Sequence, residues 1–124
     1  MEAIVPMSTD ISDLTNITGF IGACLVDSDS GLMLASETGT GKLDLEAAGA
    51  ANTEVVRAKN RAMQALGLKD KIEDILITLG TQYHLIRPLI ENPSVFIYVA
   101  LDKKQANLGM ARLNVKNVEA TIKI

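Results

Sequence analysis

Residues 19–36 read Gly19-Phe-Ile-Gly-Ala-Cys-Leu-Val-Asp27-Ser-Asp29-Ser-Gly31-Leu-Met-Leu-Ala-Ser36. Two apolar runs flank a short acidic turn that ends in glycine. The stretch can be read as a metal loop or as a β-hairpin. A calcium loop of the EF-hand kind needs oxygen ligands at positions 1, 3 and 5, glycine at 6 and a bidentate glutamate at 12. Counted from Asp27, the third position is Asp29, the fifth Gly31, the sixth Leu32 and the twelfth Thr38. Two carboxylates are too few, and strands rather than helices flank them. A turn explains the same residues directly, because aspartate bonds its own backbone and glycine supplies positive φ. The spacing therefore predicts a hairpin, with strands near 19–27 and 31–37.

Composition narrows what such a hairpin can belong to. The chain has 124 residues, 48 % hydrophobic and 22 % charged, which is the balance of one globular domain spanning 1–124. Aromatics make up 3 % and tryptophan is absent, so the stacking platforms of nucleic-acid modules are missing. The net charge of −3 gives no support to a nucleic-acid partner either. That charge is unevenly spread. Residues 1–50 carry eight acids against Lys42, and residues 51–124 carry eleven bases against seven acids. Asymmetry of this kind marks either a polar docking surface or ordinary solvated decoration. Cys24 is the single cysteine, so no intrachain disulfide forms; inside an apolar run it reads as a small buried hydrophobe. The first residues, Met1 to Pro6, lack a basic segment and a long apolar one, and no run is long enough to span a membrane. These features predict a cytoplasmic protein with no membrane span, and the sequon Asn16-Ile17-Thr18 then carries no glycan.

Outward from the hairpin, Ser8-Thr9-Asp10 offers N-cap residues, Ile11, Leu14 and Ile17 follow at helical spacing, and Gly19 ends a short first helix over about 9–18. Residues 38–43 resemble a phosphate-binding loop only superficially. Ser36 stands where the first glycine is needed, and Leu43 where a hydroxyl should follow Lys42. A long helix then runs from Asp44, a natural N-cap, to Leu66, with Gly67 as its stop. At 100° per residue, Ala47, Ala51, Ala58, Ala62 and Ala65 form one strip. Leu45, Val55, Val56, Met63 and Leu66 form a bulky second strip, and Glu46, Thr53, Arg57, Asn60, Arg61 and Gln64 a polar side. One strip can cover a sheet, while the other needs a further surface, for which small residues suit close helix–helix approach. The alternative is that both strips meet one broad sheet.

Three strands follow. Ile72–Leu79 contains Ile75, Leu76 and Ile77, Gly80-Thr81 makes a tight two-residue turn, and Gln82–Arg87 returns to Pro88. Val95–Leu101 is the last strand, and Lys103 to about Val118 reads as a final helix with Ala106, Met110 and Leu113 on one face and Leu108, Ala111 and Val115 on another. The order is α-ββ-α-βββ-α. Short connections make neighbouring strands antiparallel. Strands one, three and five are apolar at nearly every position, so both faces of the sheet must be covered. The predicted class is α+β: a five-stranded antiparallel sheet with the long helix on one face and the terminal helices on the other. Ile72–Leu79 as a bare edge would invite aggregation, and pairing with a second chain removes that hazard.

Catalytic machinery is hard to find. His84 is the only histidine and has no second ligand residue to complete a metal set. No Gly-x-Ser-x-Gly elbow occurs. The carboxylate pairs Glu73-Asp74 and Asp27/Asp29 lie at a strand start and a turn, where acids are common. The sequence thus predicts no enzyme, no catalytic residue, no cofactor and no metal.

The chain resembles the roadblock/LC7 family over about residues 8–118. The features that carry the resemblance are Leu14 with Ile17-Thr18-Gly19-Phe20-Ile21-Gly22-Ala23, the turn Asp27 to Leu32, the alanine-rich helix, Thr78 to Pro88, and Ala106 to Arg112. The resemblance implies the roadblock/profilin-like arrangement and homodimerisation through the long helix and third strand, giving a sheet continuous over two chains. It places Ala47, Ala51, Val55, Ala58, Ala62, Ala65, Ile75, Leu76 and Ile77 at the expected dimer contact. Such dimers serve as platforms for Ras-like small GTPases or as subunits of motor and signalling assemblies. The short single-domain form is similar to the prokaryotic branch that includes gliding-motility polarity regulators. Arg57 and Arg61, one turn apart on the polar side, are candidates for dimer-rim or partner contacts. A second class of function, a small-molecule sensor of the PAS or GAF type, shares the two-strand, helix, three-strand order. It would need a ligand cavity between sheet and helix.

Overall fold

The computed structural model describes residues 8–124. Its element order is a 3-10 turn at Ser12–Asn16, β1 (Phe20–Asp27), β2 (Leu32–Thr38), α1 (Leu45–Ala65), β3 (Ile75–Thr78), β4 (Gln82–Pro88), β5 (Val95–Asp102) and α2 (Leu108–Glu119). One antiparallel sheet runs β2-β1-β5-β4-β3. This is the predicted α+β architecture, with β2 and β3 as the two edges.

The hairpin that opened the sequence forms as read. Asp27 Oδ1 accepts the Asp29 N–H at 3.0 Å, the Gly31 N–H reaches the Asp27 carbonyl at 2.8 Å, and Gly31 has φ of +76°. The second hairpin closes through the Leu79 N–H and the Gln82 carbonyl at 2.8 Å, around Gly80-Thr81. Asp44 caps α1 by accepting from the Ala47 N–H at 3.1 Å.

Both faces of the sheet are covered. Ala23, Leu25, Leu85, Val95, Ile97, Val99 and Leu101 face the 3-10 turn and α2, packing on Ile11, Leu14, Ala111, Val115 and Val118. Cys24, Val26, Ile86, Phe96, Tyr98 and Ala100 face α1, packing on Leu45 and Val56. β1 and β5, the inner strands, are buried on both sides, which explains their lack of alternation. Glycine is a poor helix residue, yet Gly49 sits inside α1 for a steric reason. A Cβ there would stand 3.0 Å from Val26 Cγ2, so its absence lets the helix lie close on β1.

Four details differ from the sequence reading. The first helix is one 3-10 turn of five residues, too short for α-helical hydrogen bonding to propagate. β3 spans only Ile75–Thr78, because the charged run Lys69 to Asp74 stays outside the ladder. The last helix begins at Leu108, where Asn107 Oδ1 caps the Met110 N–H at 3.1 Å, and Ala106 packs on the core from the preceding turn. Thr53, expected on the polar side of α1, is buried, with its hydroxyl donating to the Gly49 carbonyl at 2.9 Å. Asn52 beside it donates to the Ala48 carbonyl at 2.8 Å. Back-bonding of this kind lets small polar residues enter a core-facing helix surface.

Candidate self-association and partner surface

The inward line of α1 is Leu45, Gly49, Asn52, Thr53, Val56 and Met63. On a helix with 3.6 residues per turn, the alanine strip then falls on the far side, leaning toward β3. Ala47, Ala51, Ala58 and Ala65 are exposed, and Ala62 and Val55 are half-buried. Val55, Ile75 and Ile77 each pack against the α1-side core. Among the described residues, β3 bonds only to β4 and its other edge has no partner strand. Ile75 and Ile77 face α1, whereas Leu76 turns to the opposite face and packs there. The alanines and Val55 thus lie on α1 and Ile75, Leu76 and Ile77 on the edge strand, with Leu76 on the opposite face of the sheet from the rest.

The two arginines lie elsewhere. Arg57 donates to the Ser28 carbonyl and forms an ion pair of 3.1 Å with Glu54, which ties α1 to the β1–β2 turn. Arg61 is exposed and lines a shallow polar cleft with Asp29, Asn60, Gln64 and Ser94. Both are on the flank of α1 away from β3, so they are separate from the alanine strip.

Beneath α1 runs a polar chain that the sequence did not announce. His84 Nε2 lies 2.8 Å from Gln82 Oε1, and Tyr98 donates its hydroxyl toward His84 Nδ1 at 3.3 Å, with the rings edge to face. The Asn52 amide lies beside the Tyr98 hydroxyl. A carbonyl oxygen only accepts, so Nε2 carries the proton and Nδ1 is free to accept. The neutral imidazole is satisfied at both nitrogens. Burial holds His84 below its ordinary value of 6.5 and pushes Tyr98 and Cys24 up to about 12. The unfolded chain therefore takes up the histidine proton first as pH falls. This component of stability is present above pH 6.5 and is lost as the pH drops below it. His84→Gln should flatten the wild-type loss below pH 6.5, read as the midpoint of urea unfolding at each pH. Parallel curves for the two proteins would contradict it.

A sensor cavity between α1 and the sheet would have to occupy space that Cys24, Val26, Val56, Ile86, Phe96 and Tyr98 fill. Among the described residues, no three of His, Cys, Asp and Glu converge as a metal site, and no helix is long and apolar enough to cross a membrane. The sequence reading also missed two ion pairs on the other face. Arg87 pairs with Glu119, and Arg112 pairs with Asp74 at 3.2 Å. One signal for the first was available. An acid in the last turn of a helix opposes the helix dipole and so needs a specific cation.

No family model and no curated protein sequence matches the chain. Solved structures do. Myxococcus xanthus MglB superposes with a TM-score of 0.75 at 17 % identity, covering 91 % of this chain and 93 % of that one. The gliding protein MglB from Thermus thermophilus gives 0.74 at 17 %, covering 88 % and 79 %. A roadblock/LC7 domain from Streptomyces avermitilis gives 0.75 at 12 %, covering 89 % and 88 %. At these identities the likeness establishes the fold, which is that of roadblock/LC7 domains.

Proposed function

We propose that the chain is a non-enzymatic, cytoplasmic homodimer that binds a Ras-like small GTPase and modulates its GTP hydrolysis or its location. The observation that carries this reading is the exposed alanine strip on the outer side of α1 together with the apolar edge strand β3. An edge strand with isoleucine and leucine and no proline is a template for pairing. A strip of small side chains beside it lets a second helix approach closely. A two-fold axis near β3 satisfies both at once, because the same patch meets itself. The GTPase partner rests on the family resemblance of the sequence and on the shared fold with gliding proteins.

Two measurements test the two halves. Light scattering on the purified chain at about 50 μM should give twice the 13.3 kDa of one chain. A mass of one chain at that concentration would end the dimer reading. A Ras-like GTPase encoded by the same genome should be retained by the immobilised protein in a nucleotide-dependent manner, GTP form against GDP form. Failure of every such GTPase to bind, with the dimer intact, would remove the partner and leave the dimer standing.

A further inference from the structure

Between α2 and the segment before β3 lies a cleft of about 600 Å³, with Asn60 of α1 also on its lining. One wall is α2, which presents Arg112 and Lys116. The other is the strap 70–74 before β3, which presents Asp70, Lys71 and Glu73 and is net negative. Leu89 and Leu113 are among the apolar groups between them. The walls thus carry opposite charge across an apolar interior. Arg87 also lines the cleft, but its charge is matched by buried Glu119. Asp74 and Arg112 reach across and meet at 3.2 Å, a direct link between the walls. Among the described residues, Lys116 and Glu73 form no ion pair.

We propose that this cleft binds a zwitterion with an apolar body, a free amino acid or a short peptide. Its carboxylate would lie on Arg112 and Lys116, its ammonium on Glu73 and Asp70, and its side chain on Leu89 and Leu113. The ligand class follows from the charge geometry. An anion satisfies α2 but is repelled by the strap, and a cation meets the reverse. An uncharged hydrophobe fills the interior and leaves both walls unsatisfied. A zwitterion matches both, and the volume lies within the range of small-molecule sites. No residue of the alanine strip lines the cleft, although Asn60 of α1 does. The strap leads directly into Ile75, the first residue of β3, so a bound ligand would also order the approach to the open edge.

The test is a titration of the full, isotopically labelled chain followed by amide NMR, with L-leucine, L-leucyl-L-leucine and the blocked N-acetyl-leucinamide, each to about 10 mM. At least one of the two zwitterions should give saturable shifts at residues 70–74 and 112–116, and the blocked compound should bind about tenfold more weakly or worse. Leucine binding tighter than the dipeptide identifies a free amino acid, and the reverse identifies a peptide. Lys116→Gln and Glu73→Gln, both at the protein surface, should each weaken binding about fivefold or more, with thermal melts showing that each variant remains folded. No saturable shift with either zwitterion would overturn the proposal. So would equal binding of the blocked compound, or unchanged affinity in both variants.

Discussion

With the proposed dimer contact on the alanine strip, replacing Ala58 with glutamate is expected to leave the protein folded and make it monomeric. Ala58 is exposed on α1 and lies on the side away from the inward line, so the substitution disturbs no core packing. Glutamate is a good helix former, and the new carboxylate would gain Arg61 at i+3 while meeting Glu54 at i−4. The stability change of one chain should stay within about 0.5 kcal/mol. Association is different. In a two-fold contact both copies carry the substitution, so each dimer must bury two carboxylates where two methyl groups had met. Like charges juxtaposed at an interface cost several kcal/mol. A loss of about 4 kcal/mol corresponds to about a 1,000-fold weaker dimer. Light scattering should then report the 13.3 kDa of one chain with an unchanged circular dichroism spectrum. Ala51→Glu, one strip position further toward the helix start, should do the same. A dimer persisting through both substitutions would show that another surface of the chain makes the contact.

That prediction uses what was legible in the sequence. The hairpin was readable because Asp27, Asp29 and Gly31 act on their own backbone, and local chemistry needs no distant partner. The N-cap of α1 was readable for the same reason, since Asp44 bonds three residues ahead. Burial of β1 and β5 on both faces followed from the missing alternation, and helices on both faces followed from that. Less legible were decisions made by long-range contacts. Ile72 has the side chain of a strand residue, yet the ladder starts at Ile75, because Asp74 is instead drawn to Arg112 of α2. Thr53 looked solvent-facing because a polarity count ignores that its hydroxyl can return to the Gly49 carbonyl. The cleft was not legible at all. Its walls come from residues 70–74, 87–90 and 112–116, which share no local pattern and meet only once the sheet is built.

The largest stability effect is expected at a residue far from the alanine strip. Glu119→Ala should destabilise the chain by about 3–5 kcal/mol, the cost of breaking a buried pair from one side. Both members are largely out of water, with side-chain exposures of 8 % for Glu119 and 11 % for Arg87. Glu119 makes two bonds that nothing nearby replaces. One oxygen holds the Arg87 guanidinium at the end of β4, and the other accepts the Ile90 N–H at 2.7 Å. The carboxylate therefore ties the end of α2 to the β4–β5 connection. Alanine leaves a buried cation without a counter-charge and a backbone donor without an acceptor, and each omission carries its own desolvation cost. Glu119→Gln keeps an acceptor oxygen and removes the charge, so its loss should be about half as large. The double change Arg87→Met with Glu119→Leu should recover most of the loss, because well-packed apolar groups often replace a buried ion pair without penalty. Urea unfolding of the four proteins reads these energies directly. Domains of this size are stable by about 5–15 kcal/mol, so the alanine variant should lose roughly a fifth of its stability or more. An alanine variant within about 1 kcal/mol of wild type would mean that water reaches Arg87 and that the clasp contributes little.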